Sequence, residues 1–106
     1  MPQAHFIPNR AIAEAILAVP AGHRHLRLAL RLADGSTLVL AEAAVAAIVR
    51  AYTTVKTHPQ VLGLRLRGVP LDERKPGFAE HQLLEVAGSA QELAEEMARI
   101  LAEAAP

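Results

Sequence analysis

Two histidines near the start of a leucine-rich segment are the first side chains whose spacing could support chemistry. His23 and His25 are separated by one residue, so on a β-strand both imidazoles would project from the same face, as some metal sites require. A third ligand would have to come from His58, His81 or a carboxylate, and Arg27 beside the pair would oppose a cation. We therefore predict no metal site and no cofactor.

Four arginines occur in two segments where leucine alternates with other residues. Residues 23–32 read HRHLRLALRL, and residues 62–67 read LGLRLR. Because a period of two sends successive side chains to opposite faces of a sheet, the leucines would share one face and the arginines the other. We call the predicted second face the arginine surface and take it as the candidate interaction face; it comprises Arg27, Arg31, Arg65, Arg67, His23 and His25.

The arginine surface has two functional interpretations. It could bind an anion or nucleic acid, because guanidinium groups match phosphate oxygens. A surface that binds single strands normally adds aromatic side chains, however, and only 3% of the residues are aromatic. The other interpretation is contact with a second protein chain, whose glutamates would neutralise the arginines. We favour protein–protein interaction and keep anion or nucleic-acid binding as the alternative.

Catalysis finds little support in the sequence. Ser36 and Ser89 are the only serines, and their positions suit a turn and a helix cap. The glycines Gly63 and Gly68 flank a strand instead of opening a helix, so they do not form a phosphate-binding loop. His81 has no partner in the sequence that would make it a general base. We predict no catalytic residue and a non-enzymatic protein.

Composition sets the broad class. A chain of 106 residues, 52% hydrophobic and without cysteine, is expected to form one domain over residues 1–106. The first residues lack the basic start and apolar run of a signal peptide, and the longest apolar run, residues 43–49, is too short for a bilayer. We therefore expect a cytoplasmic protein with no membrane contact. Arginine outnumbers lysine and Asn9 is the only asparagine, a composition compatible with a small domain from a GC-rich or thermophilic bacterium.

The zero net charge hides an asymmetry along the chain. Residues 1–71 carry eight basic and three acidic side chains, whereas residues 72–106 carry three basic and eight acidic ones. The two halves could neutralise each other within the fold. Alternatively, they could polarise the molecule so that it docks head to tail or presents its basic side to an anion.

The first third of the chain predicts a helix and then a hairpin. Asn9 could cap a short helix with a stripe of Ile12, Ile16 and Val19, which Pro20 and Gly22 would end. A strand over residues 23–32 would follow.

The hairpin after that strand has two alternative registers around Asp34 and Gly35. A two-residue turn would place leucines on the arginine surface. A three-residue loop over 33–35 pairs Leu30 with Leu38 and keeps the leucines together, so we favour it, with Gly35 in a left-handed conformation.

The sequence after residue 40 predicts a helix, two strands and a last helix. Residues 41–56 form a helix with one apolar stripe, ended by His58 and Pro59. Strands are expected over about 60–69 and from Phe78 or Ala79 to Val86, with a loop over 70–77 between them. A capping box of Ser89 and Glu92 opens the last helix. The predicted core stripes of the two helices are Val45, Ile48, Val49, Tyr52 and Val55, and then Leu93, Met97, Ile100 and Leu101.

These elements predict an α+β fold in the order α-β-β-α-β-β-α. The economical arrangement is a two-layer α/β sandwich, with four mainly antiparallel strands and all helices on the leucine face. Small sheets with one uncovered face tend to bury it by self-association, and two-fold dimers are the commonest oligomers. The sequence therefore predicts a regulatory or protein–protein interaction module that acts as a homodimer; it does not name a ligand or a further partner.

Overall fold

The computed structural model describes residues 3–70 and 81–104 and has an α+β fold with two helices and two separate sheets. Strands β1, β2 and β3 form an antiparallel sheet in that order, and β4 pairs with β5 in an antiparallel sheet of two strands. The predicted four-stranded sheet with three helices is therefore wrong. After a 3₁₀ turn at Asn9–Ala11, the elements are β1 (Ile12–Ala18), β2 (Arg27–Leu32), β3 (Thr37–Ala41), α1 (Glu42–Thr57), β4 (Arg65–Pro70), β5 (His81–Val86) and α2 (Ala90–Ala104).

The chain divides into two compact units. The first unit combines Met1–Glu42 with Glu95–Pro106, and the second is Ala43–Ala94. The three-stranded sheet belongs to the first unit, and the two-stranded sheet belongs to the second. A single domain over residues 1–106 stays a prediction.

The predicted first helix is wrong, because Ile12–Ala18 forms a strand that pairs with β2. Alanine and leucine favour a helix here, but a segment of this length is shorter than the roughly 12–15 residues that an isolated helix needs. Pairing with β2 supplies regular hydrogen bonding from Glu14 to Ala18, so tertiary context overrides local propensity. A bulge between Ile12 and Glu14 then lets the residues beyond it face β2 in regular register.

The second strand starts later than its alternating sequence suggests. It begins at Arg27, so His23 and His25 lie in the connection that returns from β1. In that connection the His23 N–H donates to the Pro20 carbonyl at 3.0 Å, and Gly22 has φ +78°. Because β1 ends at Ala18, opposite Arg27, residues 23–26 have no strand residue of β1 to pair with.

The favoured hairpin register between β2 and β3 is confirmed. Leu30 lies opposite Leu38, and Arg31 lies opposite Thr37. The Leu32 N–H donates to the Ser36 carbonyl at 2.8 Å, which closes a three-residue loop over 33–35. Gly35 has φ +94°, the positive value expected for that loop.

Gly35→Val is expected to lower the free energy of unfolding by about 1 kcal/mol or more, because a β-branched residue is strained at positive φ. No heavy atom lies within 4 Å of a Cβ built at this position, so the cost would come from the backbone alone. Urea unfolding measures it. Gly35→Asn is the matched control and should cost less, since asparagine tolerates positive φ; equal stability of the valine variant and the native protein would contradict the hairpin geometry.

Helix α1 forms close to its predicted bounds and ends at Thr57, before His58 and Pro59. Its last turns carry threonines whose hydroxyls donate back to carbonyls four residues earlier, including Thr53 to Val49 at 2.9 Å and Thr57 to Thr53 at 2.7 Å. These bonds satisfy the hydroxyls within the helix. The helix is therefore correctly predicted in position, although three residues of its predicted core stripe are exposed.

The second half of the chain follows the predicted order with different bounds. Strand β4 starts at Arg65, later than expected, and β5 is described from His81. The predicted loop after Pro70 and the predicted start of the fourth strand at Phe78 or Ala79 fall outside the described residues. The cap of α2 is confirmed, since the Glu92 N–H donates to Ser89 Oγ at 3.1 Å.

Burial is shallow across the described residues. Ala47 of α1, at 5% exposure, is the one residue among them that is buried. In the three-stranded sheet, Leu28, Leu30, Leu32 and Leu40 are half-buried. Of the predicted core stripe of α2, Leu93 is half-buried, whereas Met97 is 56% exposed and Ile100 and Leu101 are also exposed. The predicted α2 core is therefore wrong for those three residues.

Candidate functional site

The three-stranded sheet has two faces of different composition. Residues opposite each other in neighbouring antiparallel strands project to the same face. The leucine face carries Leu28, Leu30 and Leu32 of β2, Leu38 and Leu40 of β3, and Ala15 and Leu17 of β1. The other face, which we call the Ile16 face, carries Glu14, Ile16 and Ala18 of β1, Arg27, Ala29 and Arg31 of β2, and Thr37, Val39 and Ala41 of β3.

The middle of the Ile16 face is apolar. Ile16, Ala29 and Val39 form one row across the three strands. Ile16 is 44% exposed, and Val39 is 62% exposed. The arginines lie in the two rows on either side, so this face is an apolar strip with charged flanks.

The predicted arginine surface is not assembled on one sheet. Arg27 and Arg31 belong to the three-stranded sheet, whereas Arg65 and Arg67 belong to the two-stranded sheet, in the other unit. His23 and His25 precede β2 and share neither sheet. The premise that all four arginines lie in one sheet is therefore wrong.

Two of these arginines, Arg31 and Arg27, have partners in or next to the three-stranded sheet. Arg31 Nη1 lies 3.0 Å from Glu14 Oε1, and the two residues sit opposite each other at the β1 bulge. Arg27 Nη1 donates to the Leu26 carbonyl at 3.1 Å. Both side chains of the Arg31–Glu14 pair are about half exposed, so the pair contributes little stability, but it neutralises one positive charge on this face.

In the two-stranded sheet, Arg65 and Arg67 share a face with apolar residues of β5. Arg65 lies opposite Val86, and Arg67 lies opposite Leu84. Arg65 is half-buried and Arg67 is exposed. This sheet therefore displays two arginines beside aliphatic side chains, an arrangement similar to that around Arg27.

Glu42 is a positioning residue that the sequence interpretation missed. It is the first residue of α1, and its Oε1 accepts a hydrogen bond of 2.6 Å from the Leu26 N–H. Because Arg27 already lies opposite Ala41, this carboxylate continues the β2–β3 pairing by one step. His25 Nδ1 lies 3.9 Å from the same oxygen. An acidic residue in a first helical turn, directly after a strand, is the signal that could have identified this role.

The turn carboxylate Asp34 is held in place by its neighbour. Its Oδ1 accepts hydrogen bonds from the Ser36 hydroxyl and from the Ser36 N–H, the latter at 2.9 Å. These two bonds lower the pKa of Asp34 below its ordinary value, the hydroxyl having the larger effect. Ser36 therefore has a structural role in the turn.

The pKa of Asp34, measured by NMR titration, is expected to lie below that of an unstructured aspartate, and Ser36→Ala should raise it. Because the folded state lowers this pKa, the ionised carboxylate favours folding at neutral pH. That contribution is lost as the pH falls through the lowered value. Thr37→Ala is a matched control, since Thr37 makes no described contact with Asp34. An unchanged pKa in the Ser36 variant would contradict the turn geometry.

Helix α1 buries its small residues and exposes its large ones. Ala43, Ala44 and Ala51 are half-buried beside the buried Ala47. Ile48 and Val49 are exposed, and Tyr52 is 64% exposed. The predicted core stripe is thus wrong for these three residues, although Val45 and Val55 are half-buried. The apolar periodicity identified residues that share a side of α1 but did not determine whether that side is buried.

Other kinds of site find no support in the part of the chain that the structure describes. Among residues 3–70 and 81–104, no group of three histidine, aspartate or glutamate side chains is placed to hold a metal ion. None of the described helices combines the length and the apolar character needed to cross a bilayer. No family model, curated protein or solved structure matches this chain.

Proposed function

We propose that this chain is a non-enzymatic regulatory or protein–protein interaction module that acts as a homodimer. The observation that carries the proposal is the exposure of large aliphatic and aromatic side chains in both units. In the first unit these are Ile16 and Val39, and in the second they are Ile48, Val49 and Tyr52. Contiguous apolar surface of this kind marks interaction sites on folded proteins.

The arrangement of α1 supports the same conclusion. A helix normally turns its largest apolar side chains inward, because their burial contributes about 1.5–3 kcal/mol each, more than burial of alanine. Here Ala47 is the buried residue and the half-buried ones include Val45 and Val55, whereas the larger side chains Ile48, Val49 and Tyr52 are exposed. Contact with another chain would recover this burial energy.

The two serines support a non-enzymatic role. Ser36 binds the Asp34 carboxylate, and Ser89 caps α2. Both serines therefore serve local structure, and neither is paired with a histidine as a nucleophile would be.

The anion-binding alternative is weakened by the division of the arginines between two sheets. Arg31 already pairs with Glu14, and Arg27 contacts a carbonyl. A phosphate polymer would therefore meet at most two arginines on either sheet. We retain this alternative only as an outcome of the experiment.

The experiment compares the solution mass of the native protein with that of the Arg65→Glu/Arg67→Glu variant, each with and without polyphosphate or RNA. We expect the same dimeric mass in all conditions, because apolar surfaces drive association. Monomeric mass throughout would overturn the proposal. If the native protein binds polyphosphate or RNA and the variant does not, the proposed homodimer function would give way to the anion-binding alternative.

A further inference from the structure

Strand β1 is an edge of the three-stranded sheet and is unusually apolar for an edge. Its sequence is IAEAILA, and every residue after Ile12 is exposed, including Leu17 at 58%. An exposed apolar edge strand is a template for pairing with another strand, which proteins usually block with charges, proline or bulges. In β1 the only charge is Glu14, and the bulge lies before it.

The pairing pattern identifies which backbone groups of β1 face outward. Leu26 and Leu32 both direct their N–H groups toward β3 and the start of α1. Because antiparallel strands alternate their bonding direction, Ala29 and Arg27 face β1 instead. Their partners Ile16 and Ala18 therefore bond to β2, which leaves the N–H and C=O groups of Ala15 and Leu17 pointing away from the sheet.

We propose that two copies of the chain pair antiparallel through β1, about a two-fold axis at Ile16, to form a continuous six-stranded sheet. This inference rests on the proposed homodimer and specifies how it forms. The regular stretch between the bulge and Pro20 is Glu14–Ala18, and its midpoint is Ile16. In this register Ala15 and the partner's Leu17 exchange both outward hydrogen bonds.

Side chains on the Ile16 face fit this register. Ile16 lies opposite the partner's Ile16. The row of Ile16, Ala29 and Val39 in one copy is therefore continuous with the same row in the partner, and the two rows form one apolar strip. Glu14 lies opposite the partner's Ala18, whose small side chain leaves room for the carboxylate to approach the partner's Arg27. The two-fold axis repeats this charge complementarity on the other side of Ile16.

The leucine face also becomes continuous. Leu17 lies opposite the partner's Ala15, so the row of Leu40, Leu28 and Leu17 continues into Leu30 and Leu38 of the partner. The opposite edge, β3, is two residues shorter than β1 and runs directly into α1 at Glu42, so it offers a shorter row of outward backbone groups. Edge pairing therefore favours β1.

A cysteine cross-link tests this register directly, because the natural chain contains no cysteine. Residues at a non-hydrogen-bonded antiparallel position have Cα atoms about 4.5 Å apart, close enough for a disulfide. Ile16→Cys is expected to form a disulfide-linked dimer under mild oxidation. Ala18→Cys, on the same face, is the matched control: its two copies would lie about 13 Å apart along the strands and should not cross-link.

A second variant tests the hydrogen bonds. Leu17→Pro removes an outward N–H without removing a bond to β2, and we expect it to weaken dimerisation at least tenfold relative to Leu17→Ala. Cross-linking at Ile16 but not at Ala18 supports the β1 register. If the native protein is a dimer but the two cysteine variants form no disulfide-linked dimer, or form it equally, the proposed register is wrong and the homodimer is still supported. A native protein that is monomeric overturns both.

Discussion

Leu30→Ala is expected to lower the free energy of unfolding by about 2 kcal/mol, the largest effect of a single substitution in the three-stranded sheet. Leu30 lies on the central strand, between Ala15 and Leu38 on the leucine face, and is half-buried. Removing its side chain loses apolar burial and leaves a space that neighbouring strands cannot fill. Urea unfolding monitored by circular dichroism measures the change.

The matched control is Leu38→Ala, the same substitution directly across the hairpin. Leu38 projects to the same face but lies on the edge strand and is exposed. We expect less than half the effect at this position, since less apolar surface is lost. Equal effects at the two positions would show that the leucine face is not packed as the structure describes.

Glu42→Ala is expected to cost about 1.5 kcal/mol, because it removes the acceptor of the Leu26 N–H and a favourable charge at the start of α1. The substitution acts where β2, β3 and α1 meet. Hydrogen exchange should show faster loss of protection at the Leu26 amide than at the Leu30 amide. Thermal unfolding measures the accompanying change in stability.

Glu42→Gln separates the hydrogen bond from the charge. Its amide oxygen can still accept from Leu26, so this variant should keep protection at that amide and lose only the interaction of the charge with the helix. If the alanine and glutamine variants exchange equally fast at Leu26, the carboxylate does not continue the strand pairing.

Local patterns correctly predicted the β2–β3 hairpin and the positions of two of the three expected helices, α1 and α2. Alternation in β2, together with the Asp34–Gly35 turn, was sufficient to choose the register that pairs Leu30 with Leu38. The Ser89 cap likewise located the start of α2. These features depend on residues close in sequence, where backbone geometry leaves few alternatives.

The failures concern pairing between distant segments. The composition of Ile12–Ala18 favours a helix, and only its pairing with β2 makes it a strand. The alternation of side chains along each strand correctly indicates which sheet face carries Arg31 and which carries Arg65. The same alternation does not indicate whether the two strands belong to one sheet, and here they do not. The prediction that the four arginines lie together on one sheet is therefore wrong.

Apolar periodicity was also insufficient to define the core. Ile48 and Tyr52 follow helical spacing, which shows that they share a side of α1 but not whether that side faces the same chain or another one. Their exposure, with that of Ile16 and Val39, is the basis of the interaction proposal.

Sedimentation equilibrium of the native protein over a hundredfold dilution tests the homodimer most directly. We expect a mass of two chains at high concentration that falls toward the 11.3 kDa of one chain on dilution, as a reversible two-fold dimer requires. A mass of 11.3 kDa at every concentration would contradict the proposed homodimer, because the exposed apolar side chains would then remain in contact with water.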